Sequence, residues 1–237
     1  AFDPRLLLSS DQANAKAAGV LIGAYHHARF DLNTGTSGAT AEADYFWNVA
    51  KDYIKADGAY LMPMVDVEGS VGGYDQNTLS EWVNQWCLTL SNNAAAVGVT
   101  IRPVIYASSS FANSYFDSRL TQWIPWIAEW HLTNPKPNPQ SDAPISTSPW
   151  TTWTVWQYAN NTPVPGITPY LTNAPSIGRV DGDIYNGSWP SLVTTLVIGG
   201  ATSIGPPVAA RVGFNFMDPA DDALGWQGSY RIVEGLD

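Results

Sequence analysis

Two carboxylates stand two residues apart at the end of an apolar run, Leu61-Met62-Pro63-Met64-Val65-Asp66-Val67-Glu68-Gly69. Side chains alternate in direction along a β-strand, so Asp66 and Glu68 face the same side with Cβ atoms about 7 Å apart. Each acid costs desolvation energy and each opposes ionisation of the other, which makes the pair a poor stabilising device. It suits general acid–base chemistry, in which one carboxyl keeps a proton to give to a leaving oxygen. The plainer alternative is a solvated, inert pair at a loop top, but functional groups collect at the C-terminal ends of parallel strands. A further acid, Asp181, lies in Gly178-Arg179-Val180-Asp181-Gly182-Asp183-Ile184-Tyr185. Alone, Asp181 and Asp183 around a glycine would read as an Asp-Gly turn.

Other chemistries find little support. His26 and His27 are adjacent, so on a strand they point to opposite faces and make no metal pair. There is no Gly-rich phosphate loop, no Cys/His cluster with zinc spacing and no Gly-x-Ser-x-Gly elbow, so neither a metal nor a cofactor is expected. Eleven Lys and Arg against 21 Asp and Glu give a net charge of −10, which argues against nucleic acid or an anionic membrane as partner. A neutral glycan is compatible, and the eleven Trp and eleven Tyr offer faces on which sugar rings stack, beside the core roles most aromatics take. Cys87 is the single cysteine, so no intrachain disulfide forms, and its helical spacing with Val83 and Leu90 places it in packing. No run is long and apolar enough to span a membrane, and a chain starting at Ala1 without a signal peptide suggests a trimmed start.

The elements that must position the acids alternate. Residues 11–19 are rich in helix formers and close on Gly19. Residues 20–26 read as a buried strand, 39–56 as a helix, and the acidic strand follows. Residues 77–97 carry a second long helical period. Next come a strand over 101–106, a short helix over 111–116 with a serine before it as cap, and a strand over 126–130. Strands separated by helices imply a parallel sheet, closed or doubly wound. After Trp130 the pattern changes. Pro135, Pro137, Pro139, Pro144 and Pro149 make 132–150 a long loop, and strands are expected over 153–158 and 178–185.

These residues resemble, in order and spacing, the motifs of the glycoside hydrolase family 25 lysozymes of the Chalaropsis type. The carriers are Gly23-Ala24-Tyr25-His26-His27-Ala28-Arg29, Met64-Val65-Asp66-Val67-Glu68, Pro103-Val104-Ile105-Tyr106, Trp126-Ile127-Ala128, Trp156-Gln157-Tyr158 and Val180-Asp181-Gly182-Asp183. The resemblance implies an α/β fold, an irregular TIM-like (β/α)-barrel of five β/α units plus three further strands. It implies an N-acetylmuramidase that cleaves the β-1,4 bond between N-acetylmuramic acid and N-acetylglucosamine in peptidoglycan, outside the cell and as a monomer. Carried over residue by residue, Glu68 is the proton donor, Asp66 orients the acetamido group, and Asp181 is a further active-site carboxylate. Tyr25, Tyr106, Trp130 and Tyr158 fall at sugar-contacting positions. A family 18 chitinase also ends a strand in Asp-x-Glu, but needs another Asp where this chain has Met64. A glycan-binding module without catalysis is the other alternative, and the intact Asp66 and Glu68 argue against it.

The departure is at the N-terminus. Family members begin with a strand bearing Asp-Val-Ser and a second ending near Glu-Gly, before the segment that Phe2-Asp3-Pro4 resembles. The catalytic barrel is expected over residues 1–200, with 201–237 a tail that could supply the missing strands. Residues 208–218 read as a strand ending in Asp218, and 229–235 as one ending in Glu-Gly, as in a circular permutation.

Overall fold

The computed structural model describes residues 13–14, 17–18, 20–131, 142–163, 179–202, 210–215 and 227–234. Eight strands form one closed ring in sequence order: β1 (Leu21–His27), β2 (Met64–Asp66), β3 (Val104–Ser108), β4 (Ile124–Ala128), β5 (Val155–Pro163), β6 (Arg179–Tyr185), β7 (Ala210–Asn215) and β8 (Gln227–Glu234). The first five run parallel, and every pairing from β5 round to β1 is antiparallel. Among the described residues, α1 (Gly35–Ala50), α2 (Gln76–Ala95) and α3 (Ser109–Tyr115) lie between the first four strands, and α4 (Trp189–Leu196) follows β6.

Local chemistry sets these bounds. The helix expected over 39–56 starts earlier and stops at Ala50, passing into a single 3-10 turn over Lys51–Tyr53. Asp75 caps α2: its carboxylate accepts from the Thr78 amide while the Thr78 hydroxyl accepts from the Asp75 amide, a reciprocal box that contributes about 1 kcal/mol. Ser108 caps α3 by accepting from the Phe111 amide. β1 is buried along all but its last residue, as a parallel strand covered on both faces must be. The core packs Phe46 of α1 and Trp82, Val83, Trp86, Cys87 and Leu90 of α2 out of solvent. No helix among the described residues is long and apolar enough to cross a membrane.

The tail enters the ring in a direction that the permutation reading did not anticipate. β8 pairs with β1 from Leu21↔Ile232 to His26↔Gln227, antiparallel, whereas a permuted second strand would run parallel. The reason is topological: β7 and β8 are joined by eleven residues, too few for the crossover a parallel pair needs, so they run antiparallel from Ala210↔Glu234 to Asn215↔Ser229. Asp218, Phe2, Asp3 and Pro4 lie outside the described residues.

Candidate active site

Parallel strands deliver their C-terminal ends to one mouth, and there a cavity of about 310 Å³ is lined by Tyr25, Met64, Asp66, Glu68, Tyr106, Trp130, Gln157, Asn160 and Asp181. Six of the seven residues picked out from the sequence meet there. The register explains how. Met64 lies beside Tyr25, and Asp66 beside both His27 and Tyr106. Glu68 follows two residues past the end of β2, and Trp130 two past the end of β4. Asp181 reaches the same mouth from the opposite sense, as the third residue of β6, which runs antiparallel to β5. It is not an Asp-Gly turn but part of a continuous strand.

Tyr158 is placed elsewhere. It neighbours Gln157 in β5 and so faces away from it, buried with its ring edge-on to Trp156 at 6.3 Å. Gln157 occupies the cavity side, and its Oε1 accepts from the Tyr106 hydroxyl at 3.0 Å and from Trp130 Nε1 at 3.1 Å. One amide thus fixes two aromatic walls. Sequence reasoning passed over Gln157 in favour of its aromatic neighbour, and strand alternation, with Trp156 and Tyr158 on one face, was the signal that could have found it. Asn160 carried no such signal.

The acids hold their protons unusually well. Burial raises the pKa of Glu68 to about 7, with the Asp66 charge adding, the His27 charge opposing and Asp181 adding further. Glu68 is exposed to the cavity, where solvent screens part of the repulsion from the neighbouring carboxylates. Asp181 is likewise raised to about 7, first by burial and then by Asp66. Deeper in the barrel, burial and the Asp181 charge push Asp183 well up against the opposing hydrogen bond from Trp126. Burial and the surrounding carboxylates also push the Tyr25 and Tyr106 hydroxyls far up, so both rings stay neutral.

The adjacent histidines point to opposite sides, as alternation requires. His26 is fully buried with Nε2 2.7 Å from Glu42 Oε2, and its ring stacks on Trp86 at 5.7 Å. His27 opens to the mouth with Nδ1 3.3 Å from Asp66 Oδ2. His27, Asp66 and Glu68 form the one trio among the described residues whose donor atoms, all within 4.8 Å of one another, have the spacing of a metal site. Within the trio, His27 Nδ1 lies 3.3 Å from Asp66 Oδ2, and burial and the Asp66 charge raise the Glu68 pKa.

Residues 5–167 match the family model described as glycosyl hydrolases family 25. Lysozyme M1 of Streptomyces globisporus is 30% identical over 189 residues, covering 76% of this chain and 54% of that protein; this chain spans about half the length of that relative. In fold it resembles a family GH25 lysozyme from Aspergillus fumigatus, with a TM-score of 0.54 and 23% identity over 78% of this chain and 77% of that one. A muramidase from Trichobolus zukalii gives a TM-score of 0.56 and 23% identity over 81% and 79% of the two chains. A match over 5–167 includes the strand that ends in Asp66 and the Glu68 that follows it, and with it the chain belongs to glycosyl hydrolase family 25.

Proposed function

We propose that this protein is a lysozyme of the N-acetylmuramidase type, hydrolysing the β-1,4 bond between N-acetylmuramic acid and N-acetylglucosamine in peptidoglycan. The observation that supports it most is a carboxyl, Glu68, that keeps its proton to about 7 beside Asp66 in a cavity walled by Tyr25, Tyr106 and Trp130. Glu68 gives that proton to the leaving glycosidic oxygen. Asp66, with Oδ1 buried and without a partner among the described residues, accepts the N–H of the 2-acetamido group. Asp181, also with one oxygen unpartnered among the described residues, is a further acid at the sugar ring, its proton held by burial and by the Asp66 charge. Trp130, 54% exposed at the rim, is a platform for a sugar face.

On this reading the fold is the irregular TIM-like barrel of five β/α units and three further strands, with residues 1–200 as its body and 201–237 closing it. The protein works as a monomer outside the cell, where its wall substrate lies, and takes neither nucleic acid nor membrane as partner. Wall suspensions test the activity. The parent should clear them and leave muramic acid at the new reducing ends, and Glu68→Gln should lose about 10²- to 10⁴-fold in rate while still binding walls. New N-acetylglucosamine reducing ends would refute the bond assignment. Binding without clearing would favour a non-catalytic glycan module.

A further inference from the structure

Among the described residues, Asp66 is held by one oxygen only. Its Oδ2 lies 3.3 Å from His27 Nδ1, while its Oδ1 is buried with no partner among the described residues. A carboxylate can only accept, so Nδ1 carries the proton of this bond. The two residues are register partners on adjacent strands, His27 closing β1 and Asp66 closing β2, so the backbone ladder fixes their approach. Both side chains are largely buried, at 17% and 6% exposure. A bond in such surroundings restricts the carboxylate's rotation far more than one at the surface.

We propose that His27 is a positioning residue: it clamps Oδ2 of Asp66 and leaves Oδ1 to accept the acetamido N–H, while its charge offsets the repulsion between Asp66 and Glu68. This rests on the muramidase reading above for the identity of the N–H donor. The groups that face His27 are Asp66 of β2, Glu68 beyond it and Arg29 on its own segment. Burial works against the imidazolium, but the Asp66 hydrogen bond and the charges of Asp66 and Glu68 outweigh it, Arg29 opposing, and the His27 pKa is raised. Arg29 is itself occupied by Asp31 at 2.9 and 3.1 Å. The imidazolium lowers the pKa of Glu68, so the histidine also sets where the acid lets go of its proton.

Two variants separate the clamp from the charge. His27→Asn keeps a donor near the Nδ1 position without the charge, and His27→Ala removes both. In wall clearance across pH, His27→Ala should lose about tenfold or more in kcat, because misplacing a group in the site by about 1 Å costs up to about 10²-fold. His27→Asn should recover much of that rate. In both, the alkaline limb should move to higher pH, since the charge that lowers the Glu68 pKa has gone. Histidine NMR provides a readout independent of activity: His27 in the parent should titrate above 6.5 and fall in Asp66→Asn. A parent that clears walls beside a His27→Ala protein of equal rate and unmoved limb would overturn the proposal. So would a His27 titration indifferent to Asp66→Asn. A parent that clears no walls would instead defeat the muramidase reading, and the NMR result would still decide the clamp.

Discussion

Trp126 Nε1 donates a 2.7 Å hydrogen bond to Asp183 Oδ1 inside the barrel, two residues along β6 from Asp181, while Asp183 Oδ2 has no partner among the described residues. A buried carboxyl with one accepting oxygen filled and the other empty is best accommodated protonated. Asp183 therefore forms a neutral floor under the charged mouth.

The stability of the protein should carry the mark of that proton. With its folded pKa raised by burial and by Asp181, Asp183 favours the fold fully only below its unfolded pKa of about 4. The contribution is lost as pH rises from there towards the folded pKa. Asp183→Asn keeps an oxygen for Trp126 and cannot ionise. Its melting temperature should match the parent's near pH 4 and exceed it at pH 8. Parallel melting curves across that range would mean that Asp183 is ionised in the fold.

Removing the neighbouring charge should move the acid's working range. With Glu68 as the proposed general acid, acting while protonated, activity should fall as pH rises through about 7. Burial raises that pKa most and the Asp66 charge next, so Asp66→Asn should bring the alkaline limb to lower pH, besides slowing turnover. An alkaline limb unmoved in residual wall clearance would show that the two carboxyls do not interact, and one moved to higher pH that the loss of the His27 charge outweighs their repulsion.

Gln157 links two walls of the cavity through one oxygen. Trp130 is exposed enough for water to take its N–H, so Gln157→Leu should change stability by less than about 1 kcal/mol. The penalty falls on the substrate: with Tyr106 and Trp130 less fixed, KM should rise more than kcat falls. A kcat loss with KM unchanged would assign Gln157 to the chemical step instead.

How much of this was legible in the sequence follows from periodicity. Asp66 and Glu68 could be placed on one face because strand alternation has period two, and that holds whatever the strand pairs with. The pair projects into a cavity as that spacing requires. Tyr158 enters through the family resemblance, which does not say which face of β5 its neighbours bury, and Gln157 stays hidden for the same reason. His27 was weighed only as a metal ligand, although its partner is the adjacent strand's Asp66 and such a pairing is set by register. Strand direction in the tail was not legible either. Antiparallel and parallel strands share one alternation pattern, and only the short connection between β7 and β8 distinguishes them.

The tail is the sharpest test of the ring. β8 covers six positions of β1, and β7 joins β8 to β6 through Asp183↔Val212. Deletion after Gly200 would strip both strands and expose the ladder edges of β1 and β6 at once, one carrying Tyr25 and His27, the other Asp181 and Asp183. Unpaired edges of that length bind other chains and lose their own register, so the truncated protein should unfold without cooperativity, aggregate and fail to clear walls. The measurement is a denaturant titration followed by tryptophan fluorescence, set beside the wall assay. A truncated protein with a sharp two-state transition and parental clearance would show that β1 to β6 hold the site alone, and β7 and β8 would then be an attachment to the barrel and not part of its wall.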